Sequence, residues 1–242
     1  MKLEDFFEKE EVYLEKVKEF STFSVLIPLI DQIYHRSFRL KPIDESGLLI
    51  EQLLFLSHKC FLSASSLIGR GRPEDTSAIT RRALEIAEFV LALNYDPENL
   101  ARWISKERVD RWKARKRKVK PAPIKPNYKF PKGHQALEEL RSFRGVYSDI
   151  GAHFSPEYFA LQEWLKDENR VCLNYFTLNA WYLEVSVVTL ADTHYLILKI
   201  FDECMNGALK DDEEWKRLHD NLFDRKGQLG NQLMEKRNWK NS

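Results

Sequence analysis

Residues 45–69 constrain the fold more than any other stretch of this 242-residue chain. Leu48, Leu49, Ile50, Leu53, Leu54, Phe55, Leu56, Phe61, Leu62, Leu67 and Ile68 surround what the spacing predicts as one long helix ending at Gly69. A helix that is apolar nearly all round needs neighbours on several sides. The chain must therefore supply other helices to cover it.

It supplies them in order. Residues 3–20 place Leu3, Phe6, Phe7, Leu14, Val17 and Phe20 at helical spacing, as a surface or arm helix. Residues 24–39 predict a second helix with Val25, Leu26, Leu29, Ile30 and Ile33 on its core face and Pro28 near its start, where a missing N–H is tolerated. His35 and Arg36 read as a solvated helix end, and His58 as a core or edge histidine. The stretch 73–94 opens on Pro73, Glu74 and Asp75 and carries the core face Ala83, Leu84, Ala87, Val90 and Leu91. Residues 134–150 place Leu137, Leu140, Phe143 and Tyr147 three or four apart. A short helix over 156–167, a long core helix over 171–206 and an amphipathic helix over 211–238 complete the pattern, with Gly227 and Gly230 as breaks in the last. No internal repeat, alternating strand pattern or Gly-rich phosphate loop is evident.

The expectation is an all-α single domain over 1–242. Helices 45–69, 73–94, 134–150 and 171–206 form a four-helix-bundle core within 45–205, and N-terminal helices (1–42) and a C-terminal helix with its tail (211–242) decorate it. A basic, proline-rich insertion occupies 102–133. From Arg102 to Lys120 there are ten Lys or Arg and two acids, with Trp103 and Trp112 interleaved. Pro121–Gly133 then holds four prolines and reads as an extended strap. The whole chain has a net charge of only +1, so any grip on a polyanion must be local. Arg111, Lys113, Arg115, Lys116, Arg117 and Lys118 are the candidate nucleic-acid contacts, with the tryptophans able to stack on bases. The plainer reading of the same run is a solvated helix face.

Other classes find less support. Cys60, Cys172 and Cys204 fall inside predicted helices, and no Cys/His pair has metal-ligand spacing. No core helix carries Glu-x-x-His, the signature of a di-metal carboxylate bundle. No metal and no cofactor is expected. The apolar stretch 171–205 is interrupted by Asn174, Asn179, Glu184, Asp192 and His194, which argues against a membrane span. The acidic, amphipathic N-terminus lacks a signal-peptide layout, so the expected location is the cytoplasm.

Chemistry concentrates in Arg141–Pro156, RSFRGVYSDIGAHFSP, where a predicted helix meets Gly and Pro. If the helix ends near Gly151, His153 can fold back towards Arg144. The arginine fork suits two phosphate oxygens. The histidine titrates near neutrality and can move protons. Together they can cut RNA without a metal, the histidine assisting attack or departure and the arginine stabilising the phosphorane. Tyr147, Ser148 and Asp149 can orient either group. Arg82 and Glu85, in RRALE, turn inward beside the site or make ordinary surface pairs. The plainer reading of 141–156 is a histidine capping a helix end beside solvated arginines.

An all-helical core with Arg and His at the end of a late core helix resembles the HEPN superfamily, which includes metal-independent ribonucleases of toxin and antiviral systems. The motifs that carry the resemblance are RRALE (Arg81–Glu85) and YSDIGAH (Tyr147–His153). Eight residues lie between Arg144 and His153, more than the family pattern has. The resemblance implies Arg144 and His153 as a catalytic pair, Arg82 and Glu85 nearby, RNA as substrate, a homodimer and a protein partner such as an antitoxin. The alternative is a non-catalytic helical module that binds a protein or a nucleic acid.

Overall fold

The computed structural model describes residues 3–39, 45–96, 98–99, 130, 132–147, 164–167, 170–173, 176 and 179–240. The elements are α1 (Leu3–Lys18), α2 (Ser21–Ser37), α3 (Glu45–Gly69), a 3-10 turn (Pro73–Thr76) running into α4 (Ser77–Tyr95), α5 (Gln135–Tyr147), α6 (Ala180–Cys204) and α7 (Glu213–Lys240). Two short strands, β1 (Trp164–Asp167) and β2 (Arg170–Leu173), pair antiparallel. The class is all-α. None of the helices is long and apolar enough to cross a membrane.

The four expected core helices, α3 to α6, do pack together. The expected decoration is more than decoration. α2 and α7 pack on each other and on α6, and Leu26, Ile30, Ile33, Tyr34, Trp215 and Leu222 are fully buried. Arg36 grips Asp212 through two bonds of 2.9 and 2.5 Å. Trp215 Nε1 donates to Ser37 Oγ at 2.9 Å. The Asp212 carboxylate also accepts from the Trp215 backbone N–H at 2.8 Å, capping α7.

α3 departs from expectation in the other direction. Leu53, Leu54, Phe61 and Ile68 are buried. Leu48, Phe55, Leu56 and Leu62 stay exposed, and among the described residues the helix is covered on one side only. Its end is fixed by Gly71, whose φ of 75° is the left-handed conformation glycine favours. The Arg72 N–H closes the turn onto the Leu67 carbonyl at 2.9 Å. A Cβ on Gly71 would meet the Tyr13 ring at 2.7 Å, so α1 also passes too close for any side chain there.

Three boundaries are corrected. α2 starts at Ser21, so Pro28 lies inside it and not near its start; the buried face around Leu26, Leu29, Ile30 and Ile33 holds the helix across it. Strands occupy 164–167 and 170–173, where helices had been expected, and α6 begins only at Ala180. α7 runs unbroken through Gly227 and Gly230. Cys60 and Cys204 are buried thiols, as small apolar residues should be.

Candidate functional site

The arginines of the candidate site meet a carboxylate. On α4, Glu88 shares the stripe of Leu84 and Leu91 and is 8% exposed. A carboxylate in that position needs partners. α5 supplies two, one turn apart on one face. Arg141 Nε donates to Glu88 Oε1 at 2.9 Å, and Arg144 Nη1 donates to Glu88 Oε2. The Arg141 guanidinium also lies over the Phe130 ring, 4.7 Å from its centre. The side chains of Arg141 and Arg144 remain 44% and 35% exposed. Both guanidinium groups are thus held by one buried anion, Arg141 on an exposed side chain and Arg144 on a half-buried one.

Tyr147 ends α5 inside the protein. Its hydroxyl lies 3.1 Å from Thr193 Oγ1, which itself donates to the Thr189 carbonyl, so the tyrosine O–H is the donor. Burial pushes the phenol up to about 12, opposed by that bond and reinforced by Asp192. The residue therefore ties α5 to α6 and is a poor proton donor at neutral pH. It lines a cavity of about 180 Å³ with Thr76, Thr80, Tyr182, Ser186 and Thr189. The Thr76, Ser186 and Thr189 hydroxyls donate to carbonyls of their own helical turns. They offer the cavity acceptor oxygens, which do not suit a phosphate.

Arg82 and Glu85 are both exposed, so of the two readings of RRALE the structure shows the ordinary surface pair and not the inward turn. Glu85 accepts from Arg81 Nε at 3.0 Å, an ordinary i, i+4 surface pair. The reason is position: the core stripe of α4 passes through Glu88, three residues further on. Ser148, Asp149 and His153 lie outside the described residues, as do Arg111, Lys113, Arg115, Lys116, Arg117 and Lys118.

No family model, curated protein or solved structure matches this chain. The likeness to the HEPN superfamily rests on the quoted motifs alone.

A second cluster was given no role by the sequence. Asp31 and His35 stand one turn apart on α2, and His58 faces them from α3. His58 Nε2 lies 2.7 Å from Asp31 Oδ1, and His35 Nε2 lies 3.6 Å from Asp31 Oδ2. One donor atom from each residue falls within 4.8 Å of the others. His58 is buried, and burial lowers its pKa against the pull of its Asp31 bond. Its ring stacks on Tyr34 at 4.7 Å and meets Phe38 at 5.5 Å. Behind it the Tyr34 hydroxyl bridges Ser57 Oγ at 3.1 Å and His194 Nδ1 at 2.7 Å. His194 is fully buried and held down to about 3 by that burial and by His58.

Glu88 had a readable signal: an acid at a core-facing position of RRALEIAEF. The Asp31 cluster had half of one, the Asp-x-x-x-His step on α2, but its third member comes from another helix.

Proposed function

We propose that this protein is RNA-directed, and that it grips the phosphate backbone at the exposed face of α5. The observation that carries the reading is the anchoring of Arg141 and Arg144 on one buried carboxylate. A guanidinium held along one edge has lost much of its rotamer freedom before a ligand arrives, which strengthens a bidentate phosphate contact. Phe130, over whose ring the Arg141 guanidinium lies, belongs to the same predicted insertion as the Lys and Arg of 102–120. In the fuller form of the reading, His153 supplies the proton transfers and Arg144 the charge stabilisation of a metal-independent cleavage.

The test is incubation of the purified chain with mixed RNA in excess EDTA, beside His153→Ala and Arg144→Ala. The expected result is cleavage by wild type alone, leaving 2′,3′-cyclic phosphate ends. Intact RNA with wild type, or equal cleavage by all three proteins, removes the catalytic step.

A second reading has its own observation. A groove of about 580 Å³ runs along the bare side of α3, lined by Phe38, Glu51, Gln52, Phe55 and Leu56. An apolar groove on an uncovered helix face favours docking of another helix, and the occupant that fits best is a second copy of this chain.

A further inference from the structure

The Asp31, His35 and His58 cluster carries an inference independent of RNA. We infer that these three side chains bind one divalent first-row transition-metal ion, with zinc the best fit, leaving one coordination position open to water. Two imidazoles and one carboxylate are a donor set suited to zinc and its neighbours. The spacing fits as well. With metal–nitrogen bonds of about 2 Å, two rings at a tetrahedral angle have centres about 5 Å apart. The His35 and His58 ring centres are 5.3 Å apart. The carboxylate lies between them and already addresses both, Oδ1 towards His58 and Oδ2 towards His35.

The surroundings divide the work. His58 is held by stacking on Tyr34 and Phe61 and by Phe38 across its face. His35 meets the same Phe38 ring edge-on at 6.2 Å. One rigid ligand on α3 thus sits in an aromatic wall. The other two, on successive turns of α2, grade from a half-buried carboxylate to a histidine whose side chain is 64% exposed. That gradient gives the ion an entry path and places the open position on the solvent side of His35. Among the described residues this is the cluster whose donor atoms converge closely enough for one ion. Binding needs the Nε2 lone pair, so the single proton of the neutral His58 ring, which the Asp31 contact favours at Nε2, moves to Nδ1 as the metal takes its place.

The full chain, stripped with EDTA and desalted, is titrated with Zn²⁺ by calorimetry and with Co²⁺ by visible absorption. One equivalent of each should bind, the cobalt with the intense bands of a low-coordinate site, and the melting temperature should rise with zinc. His35→Ala is the decisive variant because its side chain is exposed and its loss leaves the core intact. Asp31→Asn keeps shape and removes charge. Each should weaken binding by about tenfold or more. Absence of stoichiometric uptake by wild type overturns the inference. So does uptake unchanged in both variants, which would place the metal on other side chains.

Discussion

Glu88 decides what the two arginines of α5 are. Without it they would be solvated side chains; with it they are fixed donors. His219 is the other residue whose burial has a measurable consequence. It is 4% exposed, sandwiched between Tyr195 at 4.3 Å and Trp215 at 4.6 Å, and its Nε2 has no partner among the described residues. Burial holds it down to about 4, against the pull of Asp220, the Tyr195 backbone and Asp202, with Lys210 pushing the same way as burial. A histidine depressed in the folded state takes up its proton more readily when unfolded. Its contribution is therefore fully present above about pH 6.5, erodes as the pH falls, and is spent near pH 4. The loss is on the order of 3 kcal/mol. Chemical denaturation between pH 7 and pH 4 should show that decline, and His219→Phe should flatten part of it. His194 adds a decline of the same sign that the variant keeps. A slope unchanged in His219→Phe contradicts the assignment.

The helices themselves were readable because their cores recur at three and four residues. α3, α4 and α5 fall where that period places them. The hairpin is not legible in the sequence, because stretches as short as Trp164–Asp167 and Arg170–Leu173, with two or three apolar residues each, fit a strand or a helix equally well by period. Asn179 marks the start of α6: its side chain accepts from the Tyr182 N–H at 3.2 Å, an asparagine cap visible in the sequence. The bare face of α3 was misjudged for another reason, since composition cannot say which side a neighbour will leave open. That face is symmetric about Phe55. Leu48 and Leu62 lie seven residues to either side, Glu51 and Lys59 four. In an antiparallel pair of α3 helices on a two-fold axis at Phe55, Leu48 meets Leu62 and Glu51 meets Lys59 of the second copy. Sedimentation should show a dimer for wild type and a monomer for Phe55→Glu. A monomeric wild type at micromolar concentration contradicts the pairing.

At the scale of the molecule, the six helices α2 to α7 pack into one frame. It presents the Glu88-anchored arginines on α5, the uncovered side of α3, and the His and Asp cluster between α2 and α3. The arginine site was partly readable: Arg144 stood out, while Arg141 was only the first residue of the stretch, and the anion that fixes both comes from 53 and 56 residues away, beyond local spacing. Because the net charge is only +1, the proposed RNA grip would have to come from that face and the basic insertion and not from the field of the whole protein. The most direct measurement is fluorescence anisotropy of a labelled single-stranded RNA titrated with the full chain in EDTA at several salt concentrations. It is repeated with Arg141→Ala and with Arg115, Lys116, Arg117 and Lys118 all changed to Ala, each checked for fold by circular dichroism. Binding should weaken steeply with salt, Arg141→Ala should lower the slope by about one, and the quadruple variant should lower it further. Salt-insensitive binding, or binding equal in wild type and both variants, contradicts an RNA-directed function at this face.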